Sequence, residues 1–358
     1  MNDTKIKKIQ DVNVYGKKVI VRADFNVLLN DEGDLKSTYK VAAAKDTINY
    51  LIEGGASHVA LLTHFGRPDG KIDERYSLKN MTDDVAQIFQ REVIFVPECV
   101  GQSVVEVVSD LAEGKLLLLE NVRFYKEERE DKKTFAAKLC APFDIYVNEA
   151  FGVSHRKHAS VHAITRCIPS YAGLWLQKEV HNLRQVKYEP THPAVAIIGG
   201  TKIDTKIPMI KEFSQKYDTV LVGGKTAVEA RERGMKFSDN VIFPVDFEYK
   251  YYDIGSKTIE RFCGAIKSAK TIVWNGPMGF IEEDKYKKGT LSLIKEIANN
   301  TEAFSLIGGG ESAQMVDESG FMDNISFVST GGGAMLAYLG GEEMPGIDVL
   351  LCKDGKCE

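Results

Sequence analysis

No apolar run in these 358 residues approaches the roughly 18–20 that a membrane-spanning helix needs. The N-terminal stretch from Met1 to Val14 has no apolar segment of the kind that directs secretion, so a cytoplasmic protein is expected. Cysteine is scarce. Six in a chain of this length do not make a disulfide scaffold. Cys99, Cys140, Cys167 and Cys263 each stand alone and read as small buried hydrophobes. Cys352 and Cys357 bracket Lys-Asp-Gly-Lys; a disulfide or metal pair is open there, and two free thiols are the default expectation. Positive charge is not in excess either. Lys and Arg total 46 against 51 Asp and Glu, a net charge of −5, which argues against a nucleic-acid partner. There is no low-complexity segment and no short-period repeat.

What is present is a long alternation of strand-like and helix-like stretches. Apolar runs at 18–23, 58–63, 93–96, 115–119 and 144–147 read as strands in the first half. Helical patterns at 41–53, 78–90 and 134–139 lie between them. The second half offers strands at 194–198, 219–222, 241–244, 271–274, 304–307 and 326–328. Its helices fall near 206–216, 227–233, 256–267, 284–299 and 312–319. Such alternation implies βαβ units and parallel sheets, whose strands are apolar throughout because both faces are covered. A length of 358 residues suits two domains. The stretch 171–188 reads as a helix joining them, with Ser170 as its N-cap and Leu176, Val180 and Leu183 on one face.

The strand ends differ between the halves. In the first they run into polar and basic clusters: Asp24 and Asn26, His64 and Arg67, Arg123, Arg156. Each has an ordinary alternative, an Asx turn for Asp24 and Asn26 or a surface salt bridge for the arginines. Their shared position outside the carboxyl ends of different strands favours a ligand site. Arginine suits bidentate recognition of carboxylate and phosphate. In the second half the strands run into glycines: Gly199-Gly200, Gly223-Gly224, Gly276, Gly308-Gly309-Gly310 and Gly331-Gly332-Gly333. One Gly-Gly pair is a tight turn. Five such clusters suggest backbone N–H groups approaching phosphates at helix N-termini. Lys202 and Lys206, four apart after Gly199-Gly200-Thr201, are expected to share a helix face turned to phosphate. Two look-alikes fail. Gly224-Lys225-Thr226 lacks the Walker A glycine, since Thr219 stands at that position, and no G-x-G-x-x-G opens the first βα turn.

Taken together, the motifs resemble those of phosphoglycerate kinases. Arg22-Ala23-Asp24-Phe25-Asn26, His64-Phe65-Gly66-Arg67-Pro68, Glu120-Asn121-Val122-Arg123-Phe124 and Asn148-Glu149-Ala150-Phe151-Gly152 with His155-Arg156 resemble the substrate-side motifs. Gly199-Gly200-Thr201-Lys202, Trp274-Asn275-Gly276-Pro277-Met278-Gly279 and Ser329-Thr330-Gly331-Gly332-Gly333 resemble the nucleotide-side motifs. The resemblance implies an α/β fold of two doubly wound, Rossmann-like parallel-sheet domains joined by a hinge helix. Residues 1–170 would form the 3-phosphoglycerate domain, with a tail of about 340–358 packed back on it. Residues 171–188 would be the connecting helix and 189–339 the nucleotide domain.

The resemblance also implies reversible phosphoryl transfer between 1,3-bisphosphoglycerate and Mg-ADP, giving 3-phosphoglycerate and ATP on hinge closure, in a monomer without nucleic-acid or membrane partners. Asp24, Asn26, Lys40, His64, Arg67, Arg123 and Arg156 would bind the glycerate. Lys40, Lys202, Lys206, Gly332 and Gly333 would serve the transfer itself. Gly200, Lys202, Lys206, Gly223, Gly224, Asn275, Glu282, Gly309, Gly310 and Ser312 would bind nucleotide, and Glu311 would hold the Mg²⁺ cofactor.

Several positions depart from the family pattern. Lys40 stands where an arginine is usual, Glu311 where the metal-binding aspartate is, and Ser312 where threonine is. Thr205 replaces an aspartate, Lys225 a third glycine, and the 234–253 region is short. A weakened or altered nucleotide side is therefore expected. The alternative is a catalytically impaired phosphoglycerate-binding relative with a binding or regulatory role.

Overall fold

A strand covered on both faces needs apolar side chains on both, and the central strands show this residue by residue. In the computed structural model, which describes residues 5–27, 35 and 37–352, Val19 and Val21 of strand β1 (Lys18–Arg22) enter one buried cluster and Ile20 enters another. Val59 and Leu61 of β2 (His58–Leu62) alternate in the same way with Ala60 and Leu62. So do Leu116 and Leu118 of β4 (Lys115–Leu119) with Leu117 and Leu119. Each fully buried aliphatic side chain contributes about 1.5–3 kcal/mol. A one-residue slip in register would exchange the two cores.

The chain divides into two units, Met1–Glu179 with Glu343–Glu358, and Val180–Glu342. Unit 1 holds a six-stranded parallel sheet, which adds β3 (Val93–Val96), β5 (Ile145–Asn148) and β6 (Ser170–Ala172) in the order β3-β4-β2-β1-β5-β6. β1 lies between β2 and β5, with Arg22 paired to both Leu62 and Asn148. Unit 2 holds a second parallel sheet of six. It comprises β7 (Ala194–Ile198), β8 (Thr219–Val222), β9 (Val241–Ile242), β12 (Thr271–Asn275), β13 (Phe304–Gly308) and β14 (Phe327–Ser329), in the order β14-β13-β12-β7-β8-β9. A separate antiparallel hairpin is formed by β10 (Phe247–Glu248) and β11 (Asp253–Ile254).

Three expectations are corrected. The helix expected from residue 171 begins later, at Leu174–Tyr188. Ser170 is not its cap but the first residue of β6, which pairs with β5. The capping acceptor is Glu149, whose carboxylate takes the N–H groups of Trp175 at 2.9 Å and Leu176 at 3.0 Å. That carboxyl is fully enclosed, and burial pushes its pKa up to about 7. The second correction is Cys352, which is disulfide-bonded rather than a free thiol. Cys357 and the rest of the 353–358 tail lie outside the described residues. The third concerns Lys202 and Lys206, which do not share a helix face. Lys202 precedes a 3₁₀ turn, Ile203–Thr205, and Lys206 is the N-cap of the helix Ile207–Lys216.

Both chain ends build unit 1. Ile6 bridges Leu351, Cys352 N–H donates to the Lys5 carbonyl at 2.8 Å, and Asn148 Nδ2 donates to the Gly346 carbonyl at 3.0 Å.

Candidate active site

In unit 1, the residues after β1, β2 and β4 form one hydrogen-bonded basic cluster. Gly66, with φ of 62°, lies between two expected site residues: Asn26 Oδ1 accepts its N–H at 2.9 Å and Arg123 donates to its carbonyl at 2.7 Å. A Cβ at Gly66 would lie 2.2 Å from the Tyr76 ring, so this junction requires glycine. Asp24 Oδ1 accepts the N–H of Asn26 at 3.2 Å, and Lys40 Nζ stands 3.9 Å from Asp24 Oδ2. Arg67 and Arg156 are exposed. The Arg156 guanidinium is held below its usual pKa by partial desolvation and by Arg67 beside it.

His64 is buried and carries no charge. Desolvation first, and then Arg22, Arg123, Lys40 and Arg156, hold its pKa well below 6.5. Its tautomer follows from its neighbour. Arg22 Nη2 lies 3.1 Å from His64 Nδ1, and a guanidinium can only donate. Nδ1 is therefore the acceptor and Nε2 keeps the proton. The Asp24 carboxylate, 3.9 Å from Nδ1, is too far to compete. His64 thus offers a hydrogen-bond donor, not a base.

Arg22 is itself held from behind. Its Nε donates to Ser160 Oγ at 2.8 Å, and Ser160 Oγ and N–H donate to Glu128 at 2.6 and 2.8 Å. Glu128 is fully buried, and desolvation raises its pKa against the pull of Arg22. Burial first, and then Arg22 and Arg156, lower Arg123 to about 10. Among the described residues, Arg22, Lys40, Arg67, Arg123 and Arg156 outnumber the carboxylates beside them, Asp24 and Glu128, which leaves an excess of positive charge suited to an anion. The motif reading passed over Arg22, Ser160 and Glu128. An arginine closing the buried strand Lys-Val-Ile-Val-Arg was the available signal.

In unit 2, the site lies where the strand order reverses, between β7 and β12. Gly199 N–H donates to the Asn275 carbonyl and Gly200 N–H to the Pro277 carbonyl, both at 2.9 Å. The two loops touch so closely that a Cβ on Gly199 would lie 2.2 Å from the Pro277 oxygen. Two neighbouring cavities share Gly200, Thr201 and Glu311. One, of about 320 Å³, is lined by Lys202, Lys206, Asn275, Gly309, Gly310 and Ser312, with Gly332. The helices Gly310–Ser319 and Gly332–Gly340 both begin at this cavity and present their N-terminal amides to it. Lys206 donates to Asn275 Oδ1, Asn275 Nδ2 donates to the Gly308 carbonyl at 3.0 Å, and Ser312 Oγ accepts the Gly276 N–H at 2.9 Å. Burial pushes Lys206 down to about 8, against the opposing pull of Glu311. Burial and Glu282 together raise Glu311.

The other cavity, of about 430 Å³, is lined by Gly224, Lys225 and Glu282 together with Tyr251, Tyr252 and Phe280. Neither Gly223 nor Gly333 lines either cavity. Gly223 is a packing glycine, since a Cβ there would meet Met278 Sδ at 2.4 Å, and Gly333 is exposed.

Two parallel α/β units, one ending in a basic anion cluster and the other in amide-lined cavities with a buried lysine, define a phosphotransferase of the doubly wound class. The family model described as phosphoglycerate kinase matches residues 9–240 and 226–342. The chain belongs to the phosphoglycerate kinase family. It is 37% identical to the phosphoglycerate kinase of Desulforudis audaxviator, covering 96% of this chain and 98% of that protein. It is 35% identical to that of Leptospira biflexa, covering 98% and 100%. The crystal structure of the Pyrococcus horikoshii enzyme superposes with a TM-score of 0.86 at 29% identity, covering 96% of this chain and 98% of that one.

Proposed function

We propose that this chain moves a phosphoryl group between 1,3-bisphosphoglycerate and ADP, with the glycerate on the basic cluster of unit 1 and the nucleotide in the cavities of unit 2. The observation that carries the reading is Lys206: a buried ammonium, bonded to Asn275, in a cavity lined by two helix N-termini. Burial outweighs the pull of Glu311, the carboxylate that shares the cavity, and a buried charge compensated only in part is stabilised best by an anionic ligand.

The acyl phosphate is already reactive, so no side chain need remove a proton. Catalysis rests on positioning and on neutralising the charge of the transferring group. His64 donates from Nε2 to a glycerate oxygen. Asn26 and Arg123, joined through Gly66, fix the distance between two further contacts. Lys202 and Lys206 meet the phosphates from the loop and the helix cap, and Lys40 supplies charge beside Asp24.

Glu311 would hold Mg²⁺. Among the described residues no group of three or more His, Cys, Asp or Glu side chains is placed to hold a metal ion. That suits an ion delivered on nucleotide phosphates and met by a single carboxylate. When bound, the ion supplies charge neutralisation between the phosphates. No helix among the described residues is long and apolar enough to cross a membrane. We take the protein to work as a cytoplasmic monomer.

A coupled assay with 3-phosphoglycerate and Mg-ATP tests the reading. Turnover is expected, and absence of turnover with every nucleotide would overturn it. Lys40→Arg restores the bidentate fork. If the lost charge-assisted bond matters, that variant gains about one to two decades in rate. Glu311→Asp is expected to tighten Mg²⁺ dependence. The impaired, purely regulatory alternative has no observation in its favour.

A further inference from the structure

A helix of four residues, Tyr39–Ala42, carries Lys40. Isolated helices shorter than about 12–15 residues are marginal in water, so this one takes its orientation from what it packs against. Thr38, its N-cap, makes no side-chain hydrogen bond to it. The tip of Lys40 is loosely held. Nζ lies 3.4 Å from the Asn26 carbonyl and 3.9 Å from Asp24 Oδ2, both longer than an ordinary N–H···O bond. A lysine stem is a flexible chain of four carbons. Its course is therefore set where it leaves the backbone.

The two neighbours of Lys40 set that course. Successive residues on a helix point about 100° apart, so Tyr39 and Val41 flank the lysine on either side. Val41 is fully buried in the unit 1 core. Tyr39 meets the Trp175 ring edge-on, with centroids 5.7 Å apart and planes at 84°. Trp175 is itself held from three directions. Its backbone N–H donates to Glu149 at 2.9 Å, and its indole Nε1 donates to Glu179 Oε1 at 3.2 Å. The Lys178 ammonium stands 5.9 Å from the ring centroid and pairs with Asp46 at 2.9 Å. Glu179 is fully buried. Burial and the charge of Glu179 push the Tyr39 hydroxyl well above its usual pKa, so it stays neutral. With Val41 sunk in the core and Tyr39 fixed on Trp175, one direction is left to Lys40, toward Asp24 and Asn26.

We propose that Tyr39 is a positioning residue for the phosphoryl transfer, acting through its edge contact with Trp175 to fix the course of Lys40. The inference rests on the kinase reading, in which Lys40 supplies charge on the glycerate side. Tyr39 touches neither substrate in this scheme. Its influence passes through the lysine alone, which separates it from a residue that merely fills the core.

The test is a double-mutant cycle in the coupled assay, with Tyr39→Leu, Lys40→Met and the two together, and with Tyr39→Phe as the variant that keeps the ring. A small misplacement of a reacting group can cost about 100-fold, so Tyr39→Leu is expected to lower kcat by about 10- to 100-fold. The KM for nucleotide should stay unchanged, and Tyr39→Phe should hold kcat within a few-fold of wild type. In the Lys40→Met background Tyr39→Leu should change kcat by less than about twofold, because the residue it positions is gone. Trp175→Leu removes the same contact from the other side. It should reproduce the Tyr39→Leu loss, and it stands in if Tyr39→Leu does not fold. If Lys40→Met leaves too little turnover to measure, the calorimetric affinity for 3-phosphoglycerate carries the same cycle. Full activity of Tyr39→Leu, or losses that multiply in the double variant, would make Tyr39 an ordinary packing residue and overturn the inference with the kinase assignment standing. Absence of wild-type turnover with every nucleotide would overturn that assignment, and the positioning role with it.

Discussion

Lys206 allows the most quantitative test of the site. Its side chain is 7% exposed, and burial pushes its pKa from the ordinary 10.5 to about 8. One pKa unit corresponds to about 1.4 kcal/mol, so holding this charge in the unligated protein costs about 3 kcal/mol at neutral pH. The sign follows from linkage. The folded pKa lies below the unfolded one, so folding favours the neutral amine. The corresponding stability is present above the unfolded value of 10.5 and is lost as pH falls to about 8. Nucleotide phosphates reverse that preference, because they favour the ammonium. Binding must then take up a proton above about pH 8, and apparent nucleotide affinity should fall about tenfold for each further pH unit. Calorimetry of Mg-ADP in buffers of different ionisation enthalpy, from about pH 7.5 to about pH 9.5, measures both quantities. Proton uptake should grow toward one per nucleotide. Lys206→Arg should abolish the uptake. Lys206→Met should raise the denaturation midpoint at neutral pH while eliminating turnover. A nucleotide affinity that stays flat across this range, with no proton uptake, would refute the reasoning.

Two further outcomes concern the supports of the sites. Glu128→Ala leaves Arg22 buried without its carboxylate and should cost about 3–5 kcal/mol in chemical denaturation; a folded Glu128→Gln should raise the KM for 3-phosphoglycerate and leave that for nucleotide alone. Gly199→Ala places a methyl 2.2 Å from the Pro277 oxygen and 2.6 Å from the Gly276 oxygen. Overpacking of this sort costs about 1–3 kcal/mol, so a lower melting temperature and a higher nucleotide KM are expected.

The central strands were legible because parallel strands are apolar on both faces, and β1, β2, β4, β7 and β12 carry little else. Short pieces were not. Ser170–Ala172 is three residues long and merges in sequence with the helix after it. The hairpin strands have two residues each. The helix Gln102–Asp110 was missed because Val104, Val105, Val107 and Val108 are β-branched and dilute a helical reading. In the sites, single residues at strand ends were readable, but coupling was not. Arg22 meets Ser160 across 138 positions, and Ser160 meets Glu128 across 32. Nothing local announces either contact. The same limit explains Lys202 and Lys206: spacing suggested a helix, while a 3₁₀ turn separates an exposed lysine from a buried one. The aromatic lining of the 430 Å³ cavity had a signal in the run Tyr249-Lys250-Tyr251-Tyr252, but no periodicity to give it meaning.

The discontinuous make-up of unit 1 has a consequence for biosynthesis. Residues Val180–Glu342 are contiguous and can condense as they emerge. The six strands of the unit 1 sheet are translated by then, but the packing at the end of β5 cannot be finished at that stage. Asn148, at the end of β5, donates to Gly346, and the Gly346 N–H donates to the Ser154 carbonyl at 2.8 Å. Those partners are translated almost 200 residues later. The unit begun first is therefore completed last, and a ribosome that stops short of Gly346 releases a chain in which unit 2 can be ordered and unit 1 is unsealed. Quality control that senses the unsatisfied end of β5 would in effect be checking that translation had passed Gly346.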